Sequence, residues 1–197
     1  MERLFKPWIG ENYMDAPFGK RVLLLGISCY HPPNQELKCD KEDLVVELAR
    51  DAIGYPTYRN TSSFYTKPPV MFGLVPGKLE DRKQYWKSVA YYNYLQRILD
   101  GPRQGVPGHL WNDSYEPFLQ TLDELRPDLV IVFGKTKLWP AVSRDANAIE
   151  PASTNPFSAR ATLSRPNGEV LLFGTKHPSS GFSGTQYYPI LQEILRS

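Results

Sequence analysis

Cysteine is scarce: only Cys29 and Cys39 occur in 197 residues. Two such residues make no disulfide framework, and their spacing fits no common zinc pattern, so neither covalent staples nor a structural metal is expected. Long apolar runs are also missing. No stretch approaches the length of a membrane span, and the amino terminus carries no apolar core of the signal-peptide kind. A cytoplasmic protein with no membrane partner is the expectation. Nor is there an excess of charge of one sign: 23 Lys and Arg stand against 21 Asp and Glu, a net charge of +2. This excludes a broadly basic nucleic-acid coat and leaves room for a local basic groove. Internal repeats and low-complexity tracts are absent, which excludes repeat architectures.

Aromatic residues are plentiful, with 12 Tyr, 9 Phe and 4 Trp. They serve as core and also as stacking platforms for flat ligands, and Tyr58, Phe64, Tyr65 and Phe72 of one long connection are either such platforms or core and cover. Eighteen prolines imply many irregular connections. The length favours one domain, 1–197, able to bury a core without staples.

Two stretches organise the chain. Arg21-Val22-Leu23-Leu24-Leu25-Gly26 leads through Ile27, Ser28, Cys29 and Tyr30 to His31. Val170-Leu171-Leu172-Phe173-Gly174 leads through Thr175 and Lys176 to His177-Pro178-Ser179-Ser180. Each is an apolar run of the kind that forms a strand buried on both faces. The expectation is that they end neighbouring strands, with Gly26 permitting a sharp exit. Asp40 caps a helix that has Asp43 at its N3 position and apolar residues recurring from Leu44 to Ile53, ended by Gly54 and Pro56. Residues 55–77 read as a long aromatic-bearing connection and 78–87 as a helix. Val89 to Leu95 reads as a strand through its Tyr and Val content. Residues 100–111 read as loop, and a helix capped by Asn112 or Ser114 runs to Leu125. Leu129 to Phe133 is a buried strand ending at Gly134, followed by a short helix to Val142. Residues 145–158 read as polar loop. Asn167-Gly168 marks a hairpin between 160–163 and 169–173, and 187–195 forms a closing helix. Strands alternating with helices give an α/β fold, a three-layer sandwich with a central, mostly parallel sheet. Its strand ends share one face, where ligands of such sheets bind. Lys67, Lys135, Lys137 and Lys176 fall near that face.

Candidate chemistry gathers at the same ends. His31 is either a surface histidine in a proline-rich turn or a site residue. Cys29 and His31, two apart on an extended segment, face one side. That spacing admits a thiolate nucleophile, and equally a small buried filler. Pro178 holds His177 extended, and the serines and glycine that follow offer donors to a phosphate or oxyanion. Asn93, set among tyrosines, must find partners for its amide; such an amide either ties a loop or reads a base, since it presents a donor and an acceptor.

In order and spacing, these residues resemble the uracil-DNA glycosylase superfamily. The family's glycine-led first motif, commonly Gly-Gln-Asp-Pro-Tyr-His, corresponds to Gly26-Ile27-Ser28-Cys29-Tyr30-His31. Its uracil-reading asparagine on an inner strand corresponds to Asn93, and its histidine-proline-serine motif to His177-Pro178-Ser179. The resemblance implies a base flipped out of the duplex into a pocket. It implies base contacts from Gly26, Ile27, Tyr30, His31 and Asn93, stacking on an aromatic with Phe64 and Phe72 as candidates, and backbone contacts from Pro178, Ser179 and Ser180. His177 would stabilise charge on the leaving base, and Ser28 stands where the family holds the Asp or Asn that positions water. A serine hydroxyl holds a water but is a poorer base than a carboxylate. No cofactor or metal is implied; the expected partner is DNA or another nucleobase-containing ligand, bound by a monomer. Three readings stay open: a divergent DNA glycosylase, a glycosylase-like protein that binds a nucleobase without cleaving it, and an enzyme using Cys29 or His31 as nucleophile.

Overall fold

A computed structural model describes residues 3–30, 41–54, 63–75, 77–99, 105–149 and 158–197. His31, Cys39, the Asp40 cap and Tyr58 lie outside the described residues. The strands are β1 (Trp8–Ile9), β2 (Val22–Gly26), β3 (Cys29–Tyr30), β4 (Val89–Asn93), β5 (Ile98–Leu99), β6 (Leu129–Phe133), β7 (Asn147–Ile149), β8 (Ala159–Arg165) and β9 (Gly168–Thr175). The helices are α1 (Leu44–Gly54), α2 (Ser63–Thr66), α3 (Leu79–Ser88), α4 (Gly108–Asp113), α5 (Tyr115–Leu125), α6 (Leu138–Val142) and α7 (Gly184–Arg196). A 3-10 turn over Pro68–Phe72 follows α2. Among the described residues no helix is long and apolar enough to cross a membrane.

Seven strands form one sheet in the order β1-β4-β2-β6-β9-β8-β7. The four central strands β4, β2, β6 and β9 are parallel, and antiparallel pairings occur only towards the two edges. The unbroken Val/Leu runs follow from cover on both faces. Successive side chains of a strand point to opposite sides. Accordingly Val22, Leu24, Ile131 and Phe133 enter one buried cluster, and Leu23, Leu25, Val130 and Val132 enter the other. Val45 and Ala49 of α1, Tyr85 and Trp86 of α3, and Leu191 and Ile194 of α7 cover the first face. Phe118, Leu122 and Leu125 of α5 and Leu138 and Val142 of α6 cover the second.

Three expectations change. The two organising strands are not neighbours, because β6 lies between β2 and β9; all three are parallel, so their ends still share an edge. The 100–111 stretch, expected as loop, holds the start of α4, where Leu110 buries against the second face. Within the expected polar loop, Asn147–Ile149 pairs with β8, although none of its side chains is buried. Backbone pairing rather than burial makes that edge strand, so no apolar pattern announces it. The hairpin at Asn167-Gly168 forms as expected, with Gly168 in a left-handed conformation (φ 122°).

Above the sheet edge the chain continues as a ribbon. Gly26 pairs with Asn93 in the β2–β4 ladder. Beyond it, Tyr94 N–H donates to Gly26 C=O (3.0 Å) and Leu95 N–H to Ile27 C=O (2.8 Å). Cys29 and Tyr30 then pair with Ile98 and Leu99. The buried Gln96 fastens this ribbon to the amino-terminal segment. Its Oε1 accepts from the Leu4 and Phe5 N–H groups (2.9 and 3.1 Å), and its Nε2 donates to the Asn93 and Tyr94 carbonyls (2.8 and 3.2 Å). Gln96→Leu strands several buried backbone groups at about 1–3 kcal/mol each. Urea denaturation is expected to show a loss of about 3 kcal/mol, and Gln96→Glu, which keeps the acceptor but turns the donor into an oxygen facing two carbonyls, is expected to lose at least as much.

Candidate functional site

A cavity of about 220 Å³ opens where the ribbon leaves the sheet. Its wall includes Ile27, Ser28, Cys29 and Tyr30 from the ribbon, Phe64 and Tyr65 from α2, Asn93 from β4, and His177 and Ser179 from beyond β9. The parallel strand ends and α2, which closes over them, bring these residues together.

Asn93 is buried and fixed. Its Oδ1 accepts from the Tyr91 hydroxyl (2.9 Å), and its Nδ2 donates to Cys29 Sγ (2.9 Å). Tyr65 packs edge-on to the Tyr91 ring, with centroids 6.0 Å apart. Burial raises both phenols above the ordinary tyrosine pKa, so they stay protonated. The Tyr91 proton is committed to Asn93, giving a one-way chain Tyr91→Asn93→Cys29. An asparagine amide has two N–H donors and two carbonyl lone pairs. One of each is used internally, which leaves one of each for a ligand.

Gly26 makes this possible through space rather than through a special backbone. It is not among the residues with positive φ. A Cβ there would lie 2.4 Å from Asn93 Oδ1, 3.1 Å from Phe64 Cζ and 3.2 Å from the Tyr91 hydroxyl. The sharp-exit expectation for Gly26 thus gives way to a packing role. The residue whose backbone geometry does require glycine is Gly134 (φ 140°), which lets the chain turn off β6.

Phe64 sits at the centre of an aromatic group, with ring centroids 5.2 Å from Tyr91, 5.4 Å from Phe133 and 5.7 Å from His177. His177 accepts at Nδ1 from the Ser179 backbone N–H (3.2 Å), while the Ser180 N–H closes the turn on the His177 carbonyl (2.8 Å). Desolvation by burial lowers the His177 pKa below the ordinary histidine value. A neutral ring that accepts at Nδ1 carries its proton on Nε2. The Ser28 hydroxyl is buried and has no hydrogen-bond partner among the described residues. Among the described residues no Asp or Glu lines the cavity.

Other expected site residues fall differently. Phe72 is not brought to the cavity; it packs on Phe18 (4.5 Å) and Tyr85 (5.3 Å) within the helical cover. Pro178 is buried, its carbonyl accepting from Lys67 Nζ (3.0 Å), and Ser180 is exposed on the turn. Cys29 is buried as the acceptor of the Asn93 amide, and its proposed partner His31 lies outside the described residues. Lys135 donates to the Ser158 carbonyl (3.3 Å). Tyr91 was not anticipated as a site residue, and Tyr65 only as one of several aromatics that could stack on a flat ligand. Tyr91 was within reach of a period-two reading, since it stands two residues before Asn93 on the same strand face.

Gly26→Ala must break the Asn93 hydrogen bonds or push Phe64 aside, and a loss of about 1–3 kcal/mol is expected on urea denaturation. A second expectation concerns pH. Between the ordinary histidine pKa of about 6.5 and the lower value in the folded protein, the unfolded chain binds a proton that the folded chain does not. The His177 contribution to stability is therefore complete above that ordinary value and is lost as pH falls through the lowered one. His177→Gln is expected to flatten this part of the stability–pH curve; an unchanged slope would contradict the burial argument. Neither the family models nor the curated proteins include a match to this chain.

Proposed function

We propose that the strand-end cavity binds a single nucleobase turned out of a nucleic acid, and that the chain is a divergent relative of the uracil-DNA glycosylases. The observation that carries this reading is the meeting of Phe64, Asn93 and His177 around one cavity of about 220 Å³. That volume is below the roughly 300–1,000 Å³ of drug-sized pockets and suits one heterocycle. Phe64 offers an apolar ring. Asn93 offers one donor and one acceptor in fixed orientation, the pair needed for the edge of an oxo-base. Because Tyr91 and Cys29 fix the amide, the choice between donor and acceptor positions is built in before the base arrives.

The same geometry supports cleavage of the N-glycosidic bond. As the bond breaks, its electron pair goes to the base and negative charge grows on the ring. The proton on His177 Nε2 is available to hydrogen-bond that charge, and a preorganised donor in a water-poor site is worth several kcal/mol. Water adds its oxygen to the sugar carbon, and the proton it gives up goes to the departing base anion. The unpartnered Ser28 hydroxyl is suited to hold that water, without drawing its proton as a carboxylate would. Catalysis then rests on the departing base rather than on an activated nucleophile. Among the described residues the cavity wall carries no Asp or Glu, which favours a second reading, in which the base is bound and not cleaved.

Labelled oligonucleotides carrying uracil, hypoxanthine or xanthine, treated with alkali after incubation, separate the two. Cleavage that falls by more than about tenfold in His177→Ala supports the hydrolytic reading. Binding of a modified strand without cleavage, weakened by Asn93→Ala, supports the second. Failure to bind any of the three strands would remove the base-binding proposal.

A further inference from the structure

A second cavity, of about 530 Å³, lies on the other side of the same ribbon, and Ile27, Ser28 and Tyr30 line both. It is larger than the first and falls within the size range of ligand pockets. Trp111, Lys137 and Arg144 line it, and among the described residues no Asp or Glu does. Trp111 is held in place: its ring stacks on Tyr94 (6.0 Å), and the Tyr94 hydroxyl donates to its carbonyl (2.7 Å). The Arg144 guanidinium lies 3.4 Å over the Tyr115 ring. Its one ion pair, with the adjacent Asp145, is long (3.9 Å) and exposed, so it neutralises little. Lys137 is exposed and in no ion pair among the described residues. The unpartnered Ser28 hydroxyl stands in the shared wall.

A held aromatic ring beside two cations matches a flat heterocycle bearing a phosphate. We propose that this cavity binds the nucleotide next to the one whose base occupies the first cavity, its ring against Trp111 and its phosphate on Lys137 and Arg144. This rests on the base-binding reading of the first cavity. It adds a statement about the form of the substrate. Two adjacent bases in separate pockets must both leave the stack and their pairing partners, and a single strand does this at the lowest cost. The substrate is therefore a single strand rather than a duplex.

The test measures binding to the full chain by fluorescence anisotropy, with a labelled uracil-containing single strand, the same sequence as duplex, and unlabelled thymidine monophosphate and thymidine as competitors. Four results are expected. The single strand binds about tenfold or more tighter than the duplex. The monophosphate competes better than thymidine. Lys137→Glu and Arg144→Gln, both on exposed side chains, each remove the advantage of the phosphate. The combined variant has a shallower salt dependence, by about 0.7 in log–log slope for each lost phosphate contact. Phe64→Ala is expected to leave competition by the monophosphate intact, because Phe64 lines only the first cavity.

Equal affinity for duplex and single strand would overturn the proposal. So would competition by the monophosphate that ignores Lys137 and Arg144. If that competition instead disappears in Phe64→Ala, the first cavity's reading stands and this one falls. If it survives in Phe64→Ala while base recognition through Asn93 fails, the second cavity stands and the first cavity's reading falls.

Discussion

The side-chain amide of Asn93 is the fixed point of the molecule's candidate chemistry. It is buried between the Tyr91 hydroxyl and the Cys29 sulfur, and both hydrogen bonds fit only because Gly26, its partner in the β2–β4 ladder, has no side chain. The sheet supplies the rest. Parallel strands end on one edge, so a residue just beyond β2, one at the end of β4 and one just beyond β9 arrive together from distant parts of the sequence. Gln96 then fixes the ribbon that carries Ser28 and Tyr30 by bonding four backbone groups from two segments.

From this constraint come both a specific and a permissive feature. The specific one is the amide and the neutral imidazole, each with its hydrogen-bonding direction set by an internal partner: Tyr91 and Cys29 for Asn93, the Ser179 backbone for His177. The permissive one is Ser28, a hydroxyl with no partner among the described residues, in a wall shared by two cavities. A carboxylate at Ser28 would be desolvated, with Lys137 and Arg144 on only one side of the ribbon. Serine avoids that desolvation and leaves the wall neutral. A neutral wall suits retention of a bound anionic strand better than forceful activation of water.

Much of this was legible in the sequence. The runs at 22–25, 129–133 and 170–173 are apolar at every position because both faces of the sheet are covered, and that signal is hard to mistake. Asn93 and His177 stood out because a polar residue at the end of such a run has to be explained. Strand order was less legible: nothing local says that β6 lies between β2 and β9. The exposed strand Asn147–Ile149 and the short α4 carry too few apolar residues to show a period. Choosing between Phe64 and Phe72 depended on which turn of the irregular 63–75 segment faces the sheet edge, a tertiary fact. Tyr91 was hidden because tyrosine is common in cores, and only its hydrogen bond to Asn93 distinguishes a donor from a filler.

A crystal structure of the protein with a short uracil-containing single strand tests the central claim most directly. The account predicts a base in the strand-end cavity, its ring against Phe64, with one edge accepting from Asn93 Nδ2 and donating to Asn93 Oδ1, and His177 Nε2 within hydrogen-bond reach. A strand bound elsewhere, with Asn93 still bonded only to Tyr91 and Cys29, would contradict it.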